Sequence, residues 1–119
     1  MEKAEFVQEM LTKTKQLTLR SLKVFQSLPI TDEAKVIGKQ FLRSSTSVGA
    51  NYRAVCRARS KAEYFSKLSI TIEETDETMF LIEILIESGI LSKEKLGKLY
   101  EDYESIIKIL ATARKNTQR

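Results

Sequence analysis

The chain has 119 residues, 42% hydrophobic and 30% charged, a globular balance sized for one domain with one core. Four glycines and one proline argue against an all-β fold, which needs frequent turns. A net charge of +4 favours acidic partners only mildly, and the absence of histidine removes the commonest general base and metal ligand.

The N-terminal run MEKAEFVQEM is charged and has no apolar signal core. The most apolar run, residues 79–86, contains Glu83 and falls far short of the roughly 20 residues of a membrane span. The single cysteine, Cys56, has no internal disulfide partner. These features predict a cytoplasmic protein with no membrane role.

The first predicted helix covers residues 3–28, with Val7, Met10, Thr14, Leu17, Ser21, Val24 or Phe25, and Leu28 at helical spacing. Pro29 stops it. Thr31 is a candidate N-cap for the second helix, followed by Asp32 and Glu33, where the helix dipole favours anions.

The second helix, residues 32–58, sorts into three stripes at about 100° per residue. Ile37, Phe41, Ser44, Val48, Asn51 and Val55 form the core face. Ala34, Gly38, Ser45, Gly49 and Cys56 form a small-residue stripe beside it. Interior glycines weaken a helix, so this stripe predicts close approach by another helix, in this chain or from another subunit. Gly38, Ser45 and Gly49 are therefore candidate oligomer contacts. Cys56, on the same stripe, reads as a packed, inert thiol despite the nearby Arg53 and Arg57.

Lys35, Lys39, Arg43, Arg53 and Arg57 fall within an arc of about 80° opposite the core. Arg59 and Lys61 continue the basic character into the turn, and no acidic residue intervenes between Glu33 and Glu63. These seven are the candidate nucleic-acid contacts. The competing reading is an ordinary solvated helix face.

Ser60-Lys61-Ala62-Glu63 fits the S-x-x-E capping box and opens the third helix, residues 61–88, which Gly89 ends. Phe65, Leu68, Ile72, Thr75, Met79, Ile82 and Ile86 make its core stripe. Ile70, Leu81, Ile84 and Leu85 make a second apolar stripe, which predicts a subunit interface unless a wide core covers both. Ser92 caps the fourth helix, residues 93–113, with Leu96, Leu99, Tyr103, Ile106 and Leu110 inward and a frayed polar tail after it. Four helices with short loops predict an all-α, up-down-up-down four-helix bundle.

Catalytic chemistry is sparse. No E-x-x-H pair, P-loop or dinucleotide fingerprint occurs. The Glu73/Glu77 and Glu83/Glu87 pairs could hold a hard cation but read more simply as solvated or ion-paired. The expectation is no enzyme, no cofactor and no metal.

Residues 41–78 (FLRSSTSVGANYRAVCRARSKAEYFSKLSITIEETDET) and residues 85–92 (LIESGILS) resemble the bacterial four-helix-bundle proteins related to those encoded in intervening sequences of 23S ribosomal RNA genes. The same superfamily includes the accessory protein of diversity-generating retroelements. The resemblance implies a bundle that assembles into a homopentameric ring. It also implies, for the accessory branch, a basic surface that binds nucleic acid and a reverse transcriptase. Carried to this chain, Arg43, Arg53, Arg57, Arg59 and Lys61 would make those contacts. Many members read A-N-I-A-E-G where this chain has Ala50-Asn51-Tyr52-Arg53-Ala54-Val55, so this chain is more basic there. The expected function is a non-enzymatic, oligomeric accessory protein that binds RNA or DNA with little sequence preference. The alternative is a scaffold whose target is another protein.

Overall fold

The computed structural model describes residues 3–117. Four helices, α1 (Lys3–Gln26), α2 (Asp32–Cys56), α3 (Lys61–Glu87) and α4 (Lys93–Thr117), form an all-α bundle of 46 × 25 × 19 Å. Each packs on the next, and α4 returns to α1 along a sparser seam, which gives the up-down-up-down order.

The helix ends follow local chemistry. Ser27 and Leu28 donate backbone N–H groups to Val24 and Phe25, a tightened last turn before Pro29. The Thr31 hydroxyl accepts from the Ala34 N–H at 3.2 Å and caps α2. The Ser60 hydroxyl accepts from the Glu63 N–H at 3.0 Å. The return bond of the expected capping box is displaced by one residue: Glu63 accepts from the Arg59 N–H, at 3.1 Å. Gly89 stands at φ +80°, where a side chain would be strained, and Leu91 donates back to the Leu85 carbonyl at 3.0 Å. Ser92 caps α4 through the Lys95 N–H. That helix runs past its expected end to Thr117, with Arg114 and Lys115 suited to the C-terminal dipole. The last residues of the expected tail, Gln118 and Arg119, lie outside the described residues.

The core is built on Met10, Phe41, Leu68, Ile82, Leu96, Tyr103 and Leu110. Fully burying an aliphatic or aromatic side chain contributes about 1.5–3 kcal/mol. Hydroxyls interrupt this core, and each finds a partner. Thr78 donates to the Ser44 hydroxyl at 2.8 Å, Thr75 donates to the Thr71 carbonyl at 2.7 Å, and the Ser21 and Tyr103 oxygens lie 2.7 Å apart. Among the described residues no buried side-chain nitrogen or oxygen lacks a partner.

Two surfaces expected at a subunit interface are filled wholly or in part within the protomer. Leu81 and Leu85 are buried in the protomer's own core, while Ile70 and Ile84 are half-buried. The reason is the position of α3 between α2 and α4, where a wide apolar arc is covered from both sides. The small-residue stripe of α2 faces α1. A Cβ at Gly38 would stand 2.5 Å from a Leu28 methyl, and one at Gly49 would stand 2.9 Å from the Thr18 hydroxyl. Thr18 donates to the Ser45 carbonyl across this seam at 3.2 Å. The close approach expected at Gly38, Ser45 and Gly49 is therefore made by α1 of the same protomer. Tyr52, absent from the expected core face, is also buried.

Candidate nucleic-acid interface

Small residues set the shape of the α1–α2 seam. Where Gly49 and Ala50 leave little side-chain bulk, the surface sinks into an open trough of about 710 Å³. Its floor includes Thr14 and Gly49, and its polar walls include Gln8, Thr12, Gln16 and Thr46. Lys15 reaches it from α1, Arg53 from the last turn of α2 and Arg57 from the C-cap of that helix. The i, i+4 spacing places both arginines over the same edge of the helix. No carboxylate lines the trough. Among the described residues no ion pair engages Lys15, Arg53 or Arg57.

The seven expected basic residues do not form one continuous patch. Arg53 and Arg57 meet in the trough. Lys35 and Lys39 are exposed near the opposite end of α2. Arg43 lies along α3, where it donates to both carboxylate oxygens of Glu74 at 3.1 Å and to Glu77 at 2.7 Å. These bonds push its pKa still further up and leave little of its charge for a ligand. At the α2–α3 turn Arg59 pairs with Glu63 at 3.4 Å, and that residue's backbone and side-chain hydrogen bonds hold the Glu63 carboxyl below its ordinary range. Lys61 is exposed beside it.

Sequence reasoning missed Lys15. A signal was present: from Met10 to Thr31 the chain carries Lys13, Lys15, Arg20 and Lys23 and no carboxylate. Cys56 also departs from expectation, because it is exposed on the trough wall and not packed. Partial burial still pushes its thiol pKa up, outweighing the opposing effects of the Tyr52 hydrogen bond and the Arg57 charge.

A family model for the 23S rRNA-intervening sequence protein matches residues 7–112. The chain belongs to this family. A solved member of the S23 ribosomal protein family from Bacteroides thetaiotaomicron, of unknown function, is similar at 31% identity. It matches over 92% of this chain and 97% of its own, with a TM-score of 0.82. No curated protein matches the chain.

In this family member, the trough can do one thing well. Three cations on a concave surface without carboxylates attract and align an anionic backbone. No aromatic side chain lines it, so base stacking adds nothing there. Among the described residues no helix is long and apolar enough to cross a membrane.

Proposed function

We propose that this protein is a non-enzymatic accessory protein that binds a nucleic-acid backbone in the trough between α1 and α2. The observation that carries this reading is the convergence of Lys15, Arg53 and Arg57 on a surface free of carboxylates. The family name, which ties its members to intervening sequences of 23S rRNA, gives the reading an RNA context. Contacts of this kind position a strand without reading its bases, so affinity is indifferent to sequence and sensitive to salt. A nucleic-acid enzyme, such as a reverse transcriptase, would then meet its template on this surface.

The test is fluorescence anisotropy with a structured RNA over a salt series. Three phosphate contacts give a slope of log K against log salt of about −2 for a single strand and about −3 for a duplex. Between 50 and 200 mM salt the single-strand slope corresponds to a loss of roughly 15-fold. Changing Arg53 and Arg57 to Glu abolishes most of the affinity and flattens the slope. Unchanged affinity in that variant, or binding without salt dependence, refutes the reading.

A further inference from the structure

The cations of the trough are spaced along its length. Thr18 donates to the Ser45 carbonyl, and a Cβ at Gly49 would stand 3.6 Å from the Thr14 carbonyl. These two contacts fix the register of the antiparallel pair α1 and α2, in which each step along α1 is a step back along α2. By backbone level, Arg57 is then opposite Phe6, Arg53 opposite Met10 and Thr46 opposite Leu17. Along the trough the lining positions follow in the order Arg57, Gln8, Arg53, Thr12, Lys15, Thr46. Gln8 and Thr12 thus fall between successive cations, on the wall opposite the two arginines. At 1.5 Å per residue, Arg57 and Arg53 stand about 6 Å apart along the axis, and Arg53 and Lys15 about 7–8 Å.

We propose that the trough selects RNA over DNA, with Gln8 and Thr12 holding the 2′-hydroxyls of a strand whose phosphates lie on Arg57, Arg53 and Lys15. The proposal rests on the reading of the trough as a nucleic-acid site and names its ligand. The steps between the cations are on the scale of adjacent phosphates along one strand. Between two phosphates lies a sugar, and its 2′-hydroxyl, both donor and acceptor, is what tells RNA from DNA there. The Gln8 amide offers both kinds of group, and the Thr12 hydroxyl rotates to donate or accept. Both residues are exposed, and among the described residues no hydrogen bond engages either side chain. Thr46 is more restricted. Its hydroxyl already donates to the Leu42 carbonyl at 2.8 Å and the Arg43 carbonyl at 3.0 Å, so toward a ligand it only accepts.

The rest of the lining leaves the sugar as the group that discriminates. With no aromatic side chain to stack on, the bases gain nothing by entering, and the sugar–phosphate edge faces in. A lining of cations alone would bind both nucleic acids alike, because their phosphates carry the same charge. Neutral donors and acceptors set between the cations add contacts that only ribose makes. Each such hydrogen bond contributes about fivefold in affinity, so two give RNA an advantage of at least about tenfold.

Fluorescence anisotropy with single strands of one sequence tests it, since single strands remove the difference in shape between RNA and DNA duplexes. The probes are RNA, DNA and 2′-fluoro RNA, which keeps the ribose pucker and lacks the hydroxyl. RNA is expected to bind at least about tenfold tighter than DNA, and 2′-fluoro RNA to bind like DNA. Gln8→Met combined with Thr12→Val, both at exposed positions, keeps the helical circular dichroism. It lowers RNA affinity about tenfold and DNA affinity far less. Arg53→Glu combined with Arg57→Glu weakens both strands alike. Equal affinity for RNA and DNA overturns this inference and leaves the anion-binding reading standing. So does 2′-fluoro RNA that binds as tightly as RNA, or a Gln8 and Thr12 variant that keeps the RNA preference. Salt-independent binding of both strands, or no binding, overturns the two together.

Discussion

Gly49 and Gly38 look equivalent in sequence, yet replacing each with Ala should give different results. In a helix interior Gly→Ala adds about 1 kcal/mol of intrinsic stability. At Gly49 the new Cβ would stand 2.9 Å from Thr18 Oγ1. That oxygen is not free to move without loss, since it donates to the Thr14 carbonyl at 3.1 Å and the Ser45 carbonyl at 3.2 Å. Displacing it leaves a part-buried hydroxyl without a partner, which costs about 1–3 kcal/mol. Pushing the two backbones apart instead costs about 1–3 kcal/mol. Gly49→Ala should therefore be destabilising by about 1 kcal/mol after the propensity gain is deducted. At Gly38 the obstacle is a terminal methyl of Leu28, 2.5 Å away on a half-buried side chain beyond the end of α1. Turning that methyl aside costs about 0.5–1.5 kcal/mol, close to the helix gain, so Gly38→Ala should be nearly neutral. Urea unfolding followed by circular dichroism measures both, provided the m-values agree. Adding Thr18→Ala to Gly49→Ala should recover part of the loss, as a coupled pair must. Gly49→Ala at least as stable as Gly38→Ala would refute the idea that a pinned hydroxyl sets the α1–α2 distance.

Burial pushes the Tyr103 phenol up to about 12, against the opposing effects of the Ser21 hydrogen bond and the Arg20 charge. The folded state therefore holds this proton more tightly than the unfolded chain, so stability is intact below pH 10 and falls as pH rises toward 12. The shift is worth about 2–3 kcal/mol, and Tyr103→Phe should remove that part of the alkaline loss while costing about 1 kcal/mol at neutral pH for the lost hydrogen bond. Denaturant titrations at several alkaline pH values check this, and an unaltered pH dependence in the variant would contradict it. Cys56 supplies a reporter for the trough. Its alkylation by iodoacetamide should be slower than that of a free thiol at neutral pH because the thiolate is scarce. Bound RNA should slow it further, and protection absent at saturating RNA would place the strand elsewhere.

The helices and most of their inward faces were legible in the sequence because each is written in local chemistry. Thr31, Ser60, Gly89 and Ser92 mark ends through bonds within a few residues of themselves. The fourth helix, with one apolar stripe, showed its buried residues correctly. The third did not separate so cleanly, because Leu81 and Leu85 of its second stripe are buried within the chain while Ile70 and Ile84 are only half-buried, with α2 packed on one side of the helix and α4 on the other. The basic arc of α2 is the sharper case. An arc of about 80° on one helix is wide enough to span two seams of a bundle. Arg43, at one edge, meets the carboxylates of α3 and is neutralised. Arg53 and Arg57 lean toward α1, where the facing helix offers Lys15 and no acid. Neighbouring helices therefore decide which of these like charges remain available, and α1 and α3 differ most in that respect.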